Sequence, residues 1–155
     1  MLVALVACSS QESTTVDRVH DACAPLVVQL AEPTSARMDG LTGAFALWRE
    51  HGAPWLETTG DPNGDGDSTI QLEFQPAAGA FRGLYDPTTS TIYINDALTD
   101  PAPLQIVIAH ELGHALGLPH VEGDPSVMLP GNIAISPTAR DAQALRALWG
   151  ECPRP

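Results

Sequence analysis

The chain has 155 residues, of which 44% are hydrophobic, so it is long enough for one domain with a substantial core and too short for two. Seven basic residues stand against nineteen acidic ones, and the resulting net charge of −12 argues against nucleic acid or an anionic membrane surface as the partner. No apolar stretch reaches the length of a membrane-spanning helix.

The first seven residues are apolar and are followed by Cys8. Leu5-Val-Ala-Cys8 resembles the lipobox of bacterial lipoproteins, in which the cysteine is lipidated and becomes the mature N-terminus. This resemblance implies a leader over residues 1–7, a tether over residues 8–24 and a folded domain over residues 25–152. The chain would then be exported, either as a cell-envelope lipoprotein held to the membrane through Cys8 or as an extracellular protein. An apolar N-terminus without this role is the alternative.

Short apolar or alternating runs predict five strands in the first two thirds of the chain, and near-helical spacing of apolar residues predicts one amphipathic helix among them. The predicted strands cover residues 25–30, 55–58, 68–74, 80–85 and 91–95, and the helix covers residues 37–51.

An oxygen-rich loop precedes the third predicted strand. Asp61, Asn63, Asp65 and Asp67 stand at every second position and resemble the opening of a calcium-binding loop. Such a loop calls for glutamate at its twelfth position, where this chain has Leu72. Calcium binding and a solvated turn between strands both stay open here.

The third quarter of the chain carries the pattern with the clearest chemistry. His110 and His114 are four residues apart, so a helix places both imidazoles on one face, within reach of one metal ion. Glu111 leans toward the same side and is able to hold a water molecule. Gly117 ends the helix by a left-handed turn that returns His120 as a third nitrogen ligand. Three protein ligands leave a fourth position open, which is typical of catalytic zinc.

Two Asp/Ser-Pro pairs predict where the last two helices begin. Asp100-Pro101 is typical of an N-cap followed by proline at the first helical position, and Ser136-Pro137 repeats the pattern. Gly150 is expected to end the last helix.

The stretch from His110 to His120, His-Glu-Leu-Gly-His-Ala-Leu-Gly-Leu-Pro-His, resembles the extended zinc motif of the metzincin metalloproteases, and its apolar surroundings resemble the matrixin branch. The resemblance implies an α+β fold, a twisted mixed five-stranded sheet with three helices. It implies a monomeric zinc-dependent endopeptidase with one catalytic zinc and with Glu111 as general base. Its substrates would be extracellular or envelope proteins, bound antiparallel to the sheet edge near residues 80–85.

Two further features belong to the same resemblance. Met128 matches the methionine that forms an apolar floor under the three imidazoles without binding the metal. The segment from Met128 to Ile133 would form the outer wall of the pocket for the residue that follows the cut bond.

A second, structural zinc is expected to be absent, because no histidine lies between His51 and His110. His20 and His51 are expected at the surface.

Cys23 and Cys152 are the two cysteines that remain once Cys8 is set apart. In an exported chain they predict a disulfide that joins the start of the first strand to the end of the last helix, worth roughly 4 kcal/mol on the chain-entropy model. The alternative is that Cys23 is an inhibitory zinc ligand, as in a matrixin propeptide.

Two other classes of function stay open. The site could belong to a zinc-dependent binding or adhesion protein that cuts nothing, although Glu111 argues against this. The zinc could instead be structural, in which case a chelator would unfold the chain rather than only inactivate it.

Overall fold

The computed structural model describes residues 17–58 and 68–153. Its strands and helices, in chain order, are β1 (Leu26–Leu30), α1 (Ser35–Arg49), β2 (Leu56–Glu57), β3 (Thr69–Gln75), β4 (Gly83–Asp86), β5 (Thr91–Asn95), α2 (Pro101–Ala115) and α3 (Ala139–Trp149).

The five strands form one mixed sheet in the order β2-β1-β3-β5-β4. The first four strands in this order pair in parallel, and β4 alone runs antiparallel, beside β5. One face of the sheet is buried because side chains alternate along each strand. In β3, Ile70 and Leu72 are fully buried, whereas Glu73, which points to the other face, is exposed. The predicted α+β fold, a mixed five-stranded sheet with three helices, is confirmed, and β4 lies at one edge of the sheet.

Helices α1 and α2 pack against each other and complete the core. Leu41, Phe45 and Trp48 of α1 are almost fully buried, at the three- to four-residue spacing of a helix face. The Trp48 indole N–H donates a 2.7 Å hydrogen bond to the carbonyl oxygen of Ala109, next to the predicted metal site. This bond ties the position of α2 to the core of the domain.

The start of the last helix differs from the prediction. Ser136 was expected to be the N-cap, but the N-cap is Thr138 and the helix begins at Ala139. The physical reason is Asp141, whose carboxylate accepts hydrogen bonds from the Thr138 backbone N–H at 2.8 Å and from its hydroxyl at 2.9 Å. Asp100 does cap α2 as predicted, although its side chain makes no capping hydrogen bond.

The prediction that His20 lies at the surface is wrong. The side chain is buried, its Nε2 lies 2.9 Å from Ser90 Oγ, and its backbone N–H donates to the carbonyl oxygen of Ala115. Nearby, the Tyr85 hydroxyl donates to the carbonyl oxygen of Arg18. His51 is half-buried, with Nδ1 2.6 Å from the carbonyl oxygen of Leu47.

The predicted disulfide between Cys23 and Cys152 is present, so Cys23 is not free to act as an inhibitory zinc ligand. The predicted lipidation site at Cys8 and the oxygen-rich loop from Asp61 to Asp67 lie outside the described residues. Among the helices of the described part of the chain, none combines the length and the apolar character that crossing a membrane requires.

Candidate metal centre

Helix α2 carries two of the three predicted ligands and the glutamate. Its buried apolar residues before His110 include Ile106, Val107 and Ile108, and they fix the helix against the core. His110 and Glu111 are themselves buried, while His114, one turn later, is partly exposed. Two polar side chains are therefore buried in one turn of α2, which lowers the stability of the fold unless they have hydrogen-bond or metal partners.

The turn after α2 brings in the third ligand. Gly117 has φ of +94°, the left-handed conformation that the sequence predicted, and the chain folds back over the last turn of the helix. The Nε2 atom of His120 comes to lie 3.0 Å from Nε2 of His110 and 3.2 Å from Nε2 of His114. The three predicted ligands are thus brought together. Among the described residues, they form the one group of three or more His, Cys, Asp or Glu side chains that could hold a metal ion.

Backbone carbonyl groups set the orientation of two of the rings. Nδ1 of His110 donates to the carbonyl oxygen of Val127 at 2.7 Å, and Nδ1 of His114 donates to that of Leu118 at 2.8 Å. A proton on Nδ1 leaves the lone pair on Nε2, so both rings direct a lone pair toward the point where His120 Nε2 lies.

This arrangement fits a zinc ion. A tetrahedral zinc with Zn–N bonds of about 2.0–2.1 Å separates its nitrogen ligands by about 3.3 Å, close to the two distances observed here. Burial lowers the pKa of His114 to about 4 and also lowers the pKa of His110, because desolvation disfavours the charged imidazolium. Both rings are therefore neutral at neutral pH, as metal ligands must be.

Glu111 lies beside the cluster, between α2 and β4. Burial raises the pKa of its carboxyl group to about 7, and a hydrogen bond from the Tyr85 backbone N–H acts in the opposite direction. The carboxyl group thus lies against the main chain of the edge strand and is not one of the three side chains that cluster at the candidate metal site.

The floor of the centre is a short turn from Ser126 to Met128. Met128 is buried, and its sulfur occupies the space where a Cβ of residue 113 would lie, so only glycine at position 113 allows the turn to pack against α2. The apolar floor predicted for Met128 therefore lies against the metal-binding helix.

Sequence reasoning missed the residue that holds this floor. Asp141 is 2% exposed, and its carboxylate accepts hydrogen bonds from the Ser126 hydroxyl and from the Val127 backbone N–H, the latter at 3.1 Å, besides those from Thr138. Because Val127 supplies the carbonyl that orients His110, Asp141 acts on the ligand through the turn. The pattern Thr-x-x-Asp at 138–141, a capping box, was the signal that could have indicated it.

An open cleft of about 260 Å³ runs past the metal site. Residues 80–84, before and within β4, line one side, Val107 and the three histidines line the base, and Gly131 and Asn132 line the other side. Residues 80–82 were predicted as strand but precede it, since β4 begins at Gly83.

Gly83 is the point where β4 meets the glutamate. A Cβ at this position would lie 2.9 Å from Oε1 of Glu111 and 2.9 Å from Cγ1 of Val107, both too close. The absent side chain therefore lets the strand approach the metal centre directly, a role the sequence alone did not indicate.

Comparison with known proteins supports the same reading. A family model described as Matrixin matches residues 36–150. Among solved structures, the chain is similar to a crystal structure of myroilysin, with a TM-score of 0.61 and 14% identity over 88% of this chain and 86% of that chain. At this identity the likeness shows the fold alone. A second structure of myroilysin gives a TM-score of 0.47 at 20% identity over 67% of this chain and 52% of that chain, below the level that supports a shared fold. No curated protein matches.

The family match spans most of the chain, including α2, the turn to His120 and the turn at Met128. The fold agrees with it, and three imidazole nitrogens converge at zinc-ligand spacing. The chain therefore belongs to the matrixin family and is a zinc metalloendopeptidase.

Proposed function

We propose that this endopeptidase binds its substrate as an added strand along the edge of β4 and cuts the peptide bond that lies beside Glu111. The observation that carries the proposal is the position of Gly83, whose backbone lies against Glu111 at the open edge of the sheet. An unpaired strand edge binds extended peptides through main-chain hydrogen bonds, which suits a protease that acts on unfolded segments or loops.

In this proposal His110, His114 and His120 hold the catalytic zinc. When bound, zinc lowers the pKa of water and polarises a carbonyl group. The chain's own contribution is to hold the Nε2 atoms of His110 and His114 in a fixed arrangement, through the carbonyl groups of Val127 and Leu118.

Glu111 is the proposed general base. Its carboxylate takes a proton from the attacking water as the carbon–oxygen bond forms, and the same proton then goes to the leaving amine as the carbon–nitrogen bond breaks. The hydrogen bond from the Tyr85 N–H and the close packing of Gly83 orient the carboxylate toward the cleft. A carboxylate held in this way needs no rearrangement before it accepts the proton.

The residue after the cut bond would enter the cleft between Val107 and the segment that contains Gly131 and Asn132. The Asn132 side chain donates to the carbonyl oxygens of Val127 and Ile135, at 3.1 and 2.7 Å, so this outer wall has a defined shape. A walled, partly apolar pocket next to the metal favours a side chain of limited size.

Export is part of the proposal. The disulfide between Cys23 and Cys152 is the kind of bond that persists outside the reducing cytosol, and it supports an envelope or extracellular location with protein substrates there. Lipidation of Cys8 and a monomeric state stay predictions, and the choice between calcium binding and a solvated turn for the Asp61–Asp67 loop stays open.

Glu111→Gln tests the mechanism. It should lower kcat by about 10²–10⁴-fold on a peptide or casein substrate, because the amide cannot accept the proton, while zinc stoichiometry measured by metal analysis stays near one per chain. The exposed Glu57→Gln is the matched control and should keep wild-type activity. A Glu111→Gln variant with zinc bound and with full activity would refute the proposal.

A further inference from the structure

Arg82 stands at the open edge of the sheet, directly before Gly83. The backbone N–H of Asn95 in β5 donates to the Arg82 carbonyl oxygen at 2.9 Å, so the carbonyl group of Arg82 faces into the sheet. Along an antiparallel strand this direction alternates from residue to residue. The N–H and C=O of Gly83 therefore point away from β5, toward the cleft, where a bound peptide would meet them.

Arg82 precedes β4, but its hydrogen bond with Asn95 continues the pairing with β5 by one residue, so side chains from Arg82 to Leu84 alternate between the two faces of the sheet. The position of the missing Cβ of Gly83 faces Glu111 and Val107, on the side of α2. Arg82 and Leu84 therefore have their side chains on the opposite face. The 51% exposure of Leu84 agrees with this alternation, and Arg82 is partly buried.

An added substrate strand inherits this alternation. Directly opposite residues of an antiparallel pair have side chains on the same face, with Cβ atoms about 4.5–5.5 Å apart. The substrate residue opposite Gly83 then points toward Val107 and fills the pocket, which makes it the first residue after the cut bond. Since the two strands run in opposite directions, the residue opposite Arg82 is the second after the cut bond.

We propose that Arg82 selects substrates with an acidic side chain at the second position after the cut bond; this inference rests on the strand-addition mode proposed above. The guanidinium group would face that carboxylate across the strand pair and would donate two parallel hydrogen bonds to it. Leu84, by the same alternation, would face the residue just before the cut bond and favour an apolar side chain there.

The charges around the cleft support this choice. The Arg82 side chain makes no hydrogen bond or ion pair with another residue in the described part of the chain, so its charge is available to a ligand. Among the residues that line the cleft, Arg82 is the one cationic side chain and Glu111 the one acidic side chain. The net charge of −12 acts over the whole molecule and is screened within about 10 Å at 0.1 M salt, so the neighbouring arginine decides the local preference.

The test uses one peptide that the enzyme cleaves, with its cut bond located by mass spectrometry, synthesised with Glu, Gln or Lys at the second position after the cut. Wild-type kcat/KM should be about three- to tenfold higher for the Glu peptide than for the Lys peptide, with Gln between them. Arg82→Gln should remove the difference and Arg82→Glu should reverse it. Arg146→Gln, which removes one exposed charge on α3, should keep the wild-type order.

Equal kcat/KM for the three peptides with the wild-type enzyme would overturn the role of Arg82 and leave the proposed peptidase mechanism standing. Retention of the Glu preference in a folded, zinc-loaded Arg82→Gln variant would do the same. A wild-type enzyme that is loaded with zinc and cleaves no peptide would overturn the proposed function and this inference with it.

Discussion

The metal centre and the open edge of β4 lie side by side but differ in how their polar groups are satisfied. In the metal centre, His110 and His114 donate to backbone carbonyls, and Asp141 accepts from the turn below them. At the open edge, the main-chain groups of Gly83 have no strand on their outer side, and the charge of Arg82 has no partner among the described residues.

This difference indicates that the metal centre is built for the reaction and the edge of β4 for recognition of the substrate. The groups proposed to bind zinc are held by hydrogen bonds within the protein, so their geometry exists before a substrate arrives, as transition-state stabilisation requires. The groups that would recognise the substrate are left unpaired, because a hydrogen bond already made within the protein is not available to a peptide. Changes in the metal centre should therefore affect folding and zinc, whereas changes at the edge should affect cleavage alone.

The largest effect is expected at Asp141. In Asp141→Asn an amide NH₂ replaces one acceptor oxygen and faces buried donors, which should lower the free energy of unfolding by about 2–4 kcal/mol. Zinc affinity should fall about 10- to 100-fold, because the Val127 carbonyl that orients His110 loses its support. Denaturant unfolding and competition with a fluorescent chelator measure the two effects.

The exposed Asp39→Asn serves as the control for Asp141→Asn and should change neither quantity. If Asp141→Asn bound zinc as tightly as the wild type, the turn from Ser126 to Met128 would not control the ligand geometry. The metal centre would then not differ from the edge in the way described.

The next effect concerns pH and the metal-free protein. Burial raises the pKa of Glu111 to about 7 from an ordinary value of 4.5, so the folded chain binds this proton more tightly than the unfolded chain. The resulting contribution to stability is fully present below pH 4.5 and is lost as the pH rises through 7, by up to about 3 kcal/mol.

His114 acts in the opposite direction. Its pKa is lowered to about 4, so its contribution is present above pH 6.5 and is lost as the pH falls through 4. The comparison of the wild type with Glu111→Gln isolates the carboxyl group, because the histidines are common to both. Urea unfolding of the metal-free proteins should show the wild type losing up to about 3 kcal/mol of unfolding free energy relative to Glu111→Gln as the pH rises from 4.5 to 7.5. A constant difference would mean that Glu111 is not desolvated by the edge strand.

A smaller effect is expected at Gly83, where the two regions touch. The Cβ of Gly83→Ala would lie 2.9 Å from Oε1 of Glu111 and should displace the carboxylate, with a loss of about tenfold in kcat/KM. Zinc affinity should stay within about twofold, since the three atoms nearest to this position belong to Glu111 and Val107 and not to an imidazole. Gly79→Ala is the control, because a Cβ there meets no atom within 4 Å. Equal activity of the two variants would show that β4 does not position the glutamate.

Local patterns predicted most elements because their signals lie in neighbouring residues. The alternation in β3 and the apolar spacing of α1 and α2 need only the period of a strand or a helix. Ser136-Pro137 predicted the wrong start for the last helix. The actual cap pairs Thr138 with Asp141, and Asp141 also accepts a hydrogen bond from Val127, 14 residues earlier in the chain. His20 was misplaced for a similar reason, since Ser90, 70 residues later, provides its partner.

The convergence of the three candidate ligands was predicted from sequence alone, because a four-residue helical spacing, a glycine turn and a third histidine place three nitrogens by local geometry. The tertiary structure alone decided what surrounds them. Three features each depend on contacts between segments distant in the chain: the turn held by Asp141, the approach of Gly83 to Glu111, and the position of Arg82 at the edge of the sheet beside β5. Contacts of that kind arise only when the sheet and helices pack, and no period or motif within one segment encodes them.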